Sequence, residues 1–331
     1  MSQVEIKDFE ESQMDELLAL LTKWSPDHPE LGEGDIVKWQ KCYRFVAMHE
    51  GKIVGYIGQI AHDFKYGKKS GKEGVEHLGW GVTLVLDMSD SKIRKQAGRE
   101  LLGRCENNPP LQYSAVGVVP AIEEPYKRRG HVVRRDCSKM YARFLNPAKA
   151  LKYMDKPSIY APVMKLANVF CPKQKDVNRE KVERIKEFKP DWDEKWDKLM
   201  YEQYEIYGIR NAEFLNYKLT QPNRDYHVYI HSDDGYIIFR HAIHRTRDLN
   251  LVKVCDLVGT EEAKVDLVSL AVDFADEVKA YGVVALGSFD EEKTYKKAGM
   301  CISKPYPITM RPHITAKMHI SFFESDLDNL W

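Results

Sequence analysis

The sequence predicts an α/β (α+β) protein of two similar domains, each a mixed, mostly antiparallel sheet flanked by helices. Three observations carry that expectation. The chain repeats itself: residues 34–60 (GDIVKWQKCYRFVAMHEGKIVGYIGQI) match 212–243 (AEFLNYKLTQPNRDYHVYIHSDDGYIIFRHAI) in order and type, and EPYKRRGHV at 124–132 matches KTYKKAGMC at 293–301. Trp39 thus pairs with Tyr217, Tyr43 with Tyr226, Gly51 with Gly235, Tyr126 with Tyr295 and Gly130 with Gly299, a duplication with a period of about 180 residues. Each copy also carries an alternating β-hairpin followed by strand–helix units. Finally, 331 residues suit roughly two domains, and 43% hydrophobic with 11% aromatic residues supply a core.

Val4–Phe9 reads as a short strand. Gln13–Trp24 is helical, because Met14, Leu17, Leu18, Leu20 and Leu21 form one apolar stripe. After a loop rich in proline and glycine, Tyr43–His49 and Ile53–Ile60 alternate about a Glu50-Gly51 turn, the pattern of a hairpin. A long strand is expected within 74–87, a helix over 94–107, a strand over 113–119, a short helix over 122–129, and closing strands at 131–135 and 138–144. Pro157 and Pro162 interrupt the helical pattern of 148–170, and the charged stretch 172–187 has little to bury. Residues 147–182 therefore read as a linker between domains at 1–146 and 183–331. The second copy repeats the order: a strand at 183–188, helices at 192–207 and 211–220, and a hairpin of Tyr226–His231 and Tyr236–Ala242. A strand at 251–258, a helix over 264–280, a strand at 282–286, a helix over 291–298 and two strands from Met300 complete it.

Lys plus Arg and Asp plus Glu each total 50, a balance that argues against a broad nucleic-acid surface. Six cysteines without a CxxC pair, and eleven histidines without HExxH, supply no disulfide framework or metal motif. The thiols are expected to be small buried hydrophobes. No apolar run nears the ~18 residues that span a bilayer. The N-terminal MSQVEIKDFEESQMDE is acidic without an apolar core, unlike a signal peptide. The expectation is a cytoplasmic protein, monomeric or homodimeric, that binds neither membrane nor nucleic acid.

The chemistry concentrates where the first copy's long strand runs into its helix, LDMSDSKIRKQAGRELL at 86–102. Arg94, Lys95, Gln96 and Arg99 bring charge and polarity, while Ala97 and Gly98 let a ligand approach the backbone. A helix N-terminus beside such a loop suits a phosphate. The ordinary alternative is a solvated basic turn with a glycine hinge. The matching stretch at 257–271, LVGTEEAKVDLVSLA, has no glycine after Gly259 and lines its turn with Glu261, Glu262 and Asp266, which repel anions.

The strand order, this loop and the repeated Tyr-Lys-x-x-Gly resemble two tandem copies of the GNAT (Gcn5-related N-acetyltransferase) fold. The resemblance implies that residues 94–99 correspond to the family's (Arg/Gln)-x-x-Gly-x-(Gly/Ala) loop, which holds the pyrophosphate of coenzyme A, with Ala97 where a glycine is usual. It implies that Leu86 and Met88 offer backbone groups to the pantetheine arm and that Tyr126 protonates the departing thiolate. Asp87 is the first candidate to take the proton of the attacking amine, with Glu123, Glu124 and His77 as others. Trp39, Tyr43, His77 and Trp80 are the candidates for the acceptor site.

Acyl-CoA would act as co-substrate in the first domain, with no permanent cofactor. The second, degenerate domain would help to wall the acceptor site. The whole-chain layout resembles bacterial sugar-nucleotide N-acyltransferases that acylate a dTDP-linked amino-dideoxyhexose, some with 3-hydroxybutanoyl-CoA, for lipopolysaccharide O-antigen, capsule or S-layer glycans. The alternatives are a peptide, antibiotic or polyamine acyltransferase on the same scaffold, and a non-catalytic acyl-CoA-binding module.

Overall fold

A computed structural model describes residues 3–26, 28–118, 120–149, 162, 177–232, 234–244, 249–300 and 302–324. Most of the expected helical pieces over 148–170 and the start of the charged stretch lie outside these residues, as do Cys171 and Cys301.

The first half runs β1 (Glu5–Asp8), α1 (Met14–Trp24), the short α2 (Pro29–Gly32) and α3 (Asp35–Trp39), β2 (Tyr43–His49) and β3 (Lys52–Tyr66). It continues through β4 (Val75–Leu86), α4 (Ser91–Glu106), β5 (Gln112–Val116), α5 (Pro120–Arg128) and β6 (Val132–Phe144). Helical spacing brings Met14, Leu17, Leu20 and Leu21 of α1 against Val46, Ile53 and Tyr56. Helix α4 covers the other face of the sheet, where Ala97, Leu101 and Cys105 pack on Ile57, Tyr113 and Ala115.

The second half repeats the order: β7 (Val182–Ile185), α6 (Asp193–Gln203), β8 (Ile206–Gly208), α7 (Ala212–Leu219), β9 (Tyr226–His231) and β10 (Gly235–His244). Then come β11 (Leu249–Gly259), α8 (Glu261–Glu277), β12 (Gly282–Ser288), α9 (Glu292–Lys297), β13 (Ile302–Met310) and the short β14 (Met318–His319).

Several elements differ from the sequence expectation, three of them for a local reason. Helix α4 begins at Ser91 rather than Arg94, because Asp90 Oδ1 accepts from the Lys92 and Ile93 N–H groups at 2.7 and 3.1 Å and caps the helix there. The two strands expected at 131–135 and 138–144 are one continuous strand, β6, with partners on both sides. The helix expected to reach Tyr207 stops at Gln203, because β8 is needed to pair with Phe64–Tyr66 at the end of β3. After β13, only the two residues of β14 follow as a strand.

The fourteen strands of the described residues join one sheet, with the main order β1-β2-β3-β4-β5-β13-β6-β12-β11-β10-β9-β7. The last long strand of each half is handed to the other. Strand β13 pairs with β5 at Ile308↔Val116, and β6 pairs with β12 from Phe144↔Gly282 to Ser138↔Ser288. The exchanged strands also pair with each other. A buried charge cluster fastens the C-terminal segment: Arg210 reaches Asp256 at 2.9 Å, Glu324 and the Ser321 hydroxyl, and the Tyr236 hydroxyl donates to Asp256 at 2.8 Å. No helix among the described residues is long and apolar enough to cross a membrane.

Candidate active site

Strands β4 and β5 are parallel neighbours over only three pairs, Leu78↔Gln112, Gly79↔Tyr113 and Trp80↔Ser114. Beyond them β4 runs on to Leu86 without a β5 partner, so the two strands part into a wedge. A bulge in β4 sharpens the parting. Its register against β3 shifts between Tyr56 and Gly58, and Thr83 takes a φ of 50° in the left-handed region. At the far end the Asp87 N–H bonds back to the Val54 carbonyl at 2.8 Å. The alternation of the strand then turns the backbone groups of Leu86 toward the wedge, and Met88 lies two residues beyond it, past the end of β4.

Two tyrosines sit at the apex. A Cβ on Gly81 would lie 2.3 Å from the Tyr113 hydroxyl, so only glycine lets that phenol rest at the point of divergence. The Tyr113 and Tyr126 hydroxyls are 2.9 Å apart, and both side chains are buried. Burial raises both phenols above their usual range, so each keeps its proton at neutral pH. Cys105, packed in the same cluster, shows how strongly this setting resists negative charge: burial pushes its thiol up to about 12.

The other residues of the motif divide between surface and core. Lys95 and Arg99 are exposed, and Arg94 is half-buried with its guanidinium 3.7 Å from the Met88 sulfur. Arg99 pairs with Glu100, whereas Lys92, Arg94 and Lys95 have no carboxylate partner among the described residues. Ala97 and Gly98 lie inside α4 and face the core, against the expectation that they line a phosphate loop; a Cβ on Gly98 would meet Leu86 Cδ1 at 3.1 Å. Gln96 lies half-buried on the same helix. Asp90 already occupies the Lys92 and Ile93 N–H groups at the start of α4, whereas the side-chain cations there remain outside that cap. Leu84, Met88 and Ile122 are exposed apolar side chains on the two flanks of the wedge.

Asp87 does the work of a turn. Its carboxylate accepts from the Ser89 N–H at 2.8 Å, and hydrogen bonding from Ser89, its side chain foremost, with Lys23 nearby, holds the acid below its ordinary range. A carboxylate so engaged is a weak proton acceptor.

On the face of the sheet opposite α4, a cavity of about 420 Å³ opens between β3 and α7. Gln59 marks the α4 side by donating to the Cys105 carbonyl at 3.0 Å, whereas Ile60 and His62 face the cavity. Ile60 pairs directly with Trp80, so the cavity begins beside the apex of the wedge. Gln40, Lys41, Asp63, Phe214, Tyr217 and Lys218 line the rest. Trp39 stacks on Tyr217 at 4.8 Å between ring centres, so two residues paired by the duplication meet where the halves join. His77 bonds Asp63 at 2.7 Å on the rim. Gly81 lies four positions further along β4, a span of roughly 13 Å. Tyr43 is exposed on β2. Trp80 is fully buried against Phe64, so the expectation that it stacks on a ligand is corrected: its ring fills the core.

The sequence reading missed Tyr113, Gln40, His62 and Phe214. Only Tyr217 carried a signal, through its pairing with Trp39.

The second half has the same wedge, since β11 and β12 pair only over Val252–Val254 and Val283–Ala285. A cavity of about 450 Å³ lies at its mouth. Lys264 occupies the fourth position of α8, as Arg94 does in α4, but it is turned inward. Its ammonium donates to Glu291 at 2.5 Å, the Tyr204 hydroxyl at 2.7 Å and Gln203 at 2.9 Å, which spends the cation on the protein itself.

Two of these groups set the acid response. Burial lowers His62 from 6.5 to about 3, helped by Arg210 and Lys218. Burial would raise Glu291, but Lys264 and His319 prevail and hold it at about 2 rather than 4.5. Both shifts are downward, so the unfolded chain binds more protons as the pH falls and stability declines. The His62 contribution fades between pH 6.5 and about 3, and that of Glu291 between 4.5 and about 2. His131, His227 and His319 act in the same direction as His62, each lowered chiefly by burial. Urea unfolding from pH 7 to 4 is expected to show His62→Phe reducing the slope by up to about 1.4 kcal/mol per pH unit. An unchanged slope contradicts this assignment.

No family model matches the chain, and no curated protein matches its sequence. Solved structures do. A conserved protein of unknown function from Enterococcus faecalis V583, described as a probable N-acyltransferase, is 12% identical, with a TM-score of 0.58 over 93% of this chain and 72% of that one. A GCN5-related N-acetyltransferase from Kribbella flavida is 11% identical, with a TM-score of 0.52 over 93% and 71%. Saccharomyces cerevisiae N-myristoyltransferase, solved with bound myristoyl-CoA, is 13% identical, with a TM-score of 0.58 over 93% and 79%. At these identities the likeness establishes the fold, a large mostly antiparallel mixed sheet flanked by helices, shared with N-acyltransferase structures.

Proposed function

We propose that the protein is an N-acyltransferase that moves an acyl group from acyl-CoA to the amino group of a nucleotide-linked amino sugar. One observation carries the reading. The β4–β5 wedge, flanked by unpaired cations and exposed apolar side chains, and the β3–α7 cavity approach the same point, Gly81 and Trp80, from opposite faces of the sheet. Two substrates delivered there would meet in line, and that proximity alone can lower the barrier by roughly 7–11 kcal/mol.

In this reading acyl-CoA lies in the first-half wedge. Lys92, Arg94 and Lys95 meet its phosphates, the Leu86 and Met88 backbone meets its pantetheine arm, and the acyl carbonyl rests at the apex. The neutral amine adds to that carbonyl, and the C–S bond then breaks. The leaving thiolate takes the Tyr126 proton, and the surplus proton of the acylated nitrogen passes through the Tyr113 hydroxyl to the Tyr126 phenolate, which restores it. Burial favours this transfer, because the environment that raises Tyr126 also raises the basicity of a thiolate formed beside it. The second half holds no donor, since Lys264 is consumed by Glu291; it contributes α7 to the acceptor cavity. Free-thiol release on mixing an acyl-CoA with a dTDP-linked amino sugar tests the proposal. Release that needs both substrates supports it, and release with polyamines alone would move the acceptor to another class.

A further inference from the structure

Gln40 and His62 line the β3–α7 cavity, and each carries one buried polar atom whose hydrogen-bonding capacity is unused. Gln40 and His62 are both more than nine-tenths buried, and Gln40 Nε2 and His62 Nδ1 have no partner. Such atoms are costly when desolvated and unpaired. Their chemistry is complementary. His62 Nε2 lies 3.1 Å from the Ile209 carbonyl, so it carries the proton and donates. That leaves Nδ1 as a bare acceptor, while the Gln40 amide nitrogen is a donor. A ligand that satisfies both offers one N–H and one carbonyl oxygen. Around them the cavity supplies flat surfaces and positive charge. The Phe214 ring lies parallel to His62 at 4.4 Å, Lys41 Nζ stands 4.7 Å from the Tyr217 ring centre, and Lys218 Nζ stands 5.6 Å from that of Phe214. Of the two acids that line the cavity, Asp63 is engaged by His77, and Glu213 is the other.

We infer that Gln40 and His62 read the base of a nucleotide in this cavity, with Lys41 and Lys218 facing its phosphates. The inference rests on the sugar-nucleotide reading and specifies how that acceptor is held. For a thymine base, the N3–H donates to His62 Nδ1 and a flanking carbonyl accepts from Gln40 Nε2. The sugar then extends along β3 past Ile60 toward the apex.

Calorimetric titration of the full chain with dTDP, with 3-methyl-dTDP, whose N3 carries no proton, and with pyrophosphate tests this. dTDP is expected to bind at least about 10-fold more tightly than either comparison ligand. His62→Phe and Gln40→Met should each remove about 10-fold of dTDP affinity and leave pyrophosphate unchanged. His62→Asn, which restores an acceptor atom, should recover part of the loss. Equal binding of dTDP and 3-methyl-dTDP, or no binding of dTDP, overturns the inference, and the wild-type comparison decides even where a variant fails to fold. Coenzyme A titrated separately keeps the two readings apart. If coenzyme A binds and dTDP does not, the base pocket fails and the donor site stands; if dTDP alone binds, the donor site fails and the base pocket stands.

Discussion

Tyr126→Phe is expected to lower kcat by about 100-fold or more while leaving the KM for acyl-CoA within a few-fold of wild type. The phenol stands at the apex of the wedge, 2.9 Å from Tyr113, and the variant removes the proton that the leaving thiolate needs. General acid catalysis of this kind contributes about 100- to 10,000-fold. The same change leaves the Tyr113 hydroxyl unpaired in the core, at a cost of about 1–3 kcal/mol. Stability loss alone would therefore not establish the role, but the split between kcat and KM would. A substrate whose thiol leaving group is more acidic should be rescued preferentially, because it needs less protonation. Steady-state kinetics with two thioesters, together with thermal unfolding, read all three quantities. A folded variant that keeps kcat within about 3-fold of wild type would reduce the tyrosine pair to packing, the part that Tyr295 plays in the second half, where its ring stacks on Tyr141 at 4.0 Å.

The second large effect is on donor affinity. Changing Lys92, Arg94 and Lys95 together to glutamate should weaken coenzyme A binding by 100-fold or more. Charge-assisted hydrogen bonds contribute about 1.5–3 kcal/mol each, and the reversal adds repulsion to their loss. Lys92 and Lys95 are exposed, Arg94 is half-buried, and none pairs with a carboxylate among the described residues, so folding should be little affected. Affinity measured against salt offers an independent check, because screening should weaken wild-type binding and leave the variant nearly insensitive. Gly98→Trp, the substitution that the sequence motif suggests, is a poor probe. Gly98 is buried in α4 against Leu86, and a bulky side chain there would disturb the core whatever the ligand does.

Much of the fold was legible because local rules and tertiary packing agreed. The α1 stripe, the β9–β10 hairpin and the Trp39–Tyr217 correspondence all follow from periodicity and repetition, which the final structure preserves. The reciprocal exchange of β6 and β13 was not legible. Apolar alternation fixes which face of a strand is buried but not which strand lies beside it, and the pairing spans Met310↔Val132 to Ile302↔Ala142. The same limit applied at the site. Arg94 and Lys95 were put forward as candidates by residue type and setting, and Tyr126 by the family resemblance. Asp90 turned the expected loop into the first turn of a helix, because one short acidic side chain satisfied two N–H groups. Gln40 and His62 look like ordinary polar residues in sequence. Only the packing of α7 across β3 encloses them together and leaves each with an unused atom.

The central claim is that the first-half wedge, and it alone, holds acyl-CoA. The most direct measurement is calorimetric titration of the wild-type chain with coenzyme A, repeated on the Lys92, Arg94 and Lys95 triple glutamate variant. The account predicts one site per chain in the wild type and its loss in the variant. No binding, a second site of similar affinity, or a single site untouched by the charge reversal would contradict it.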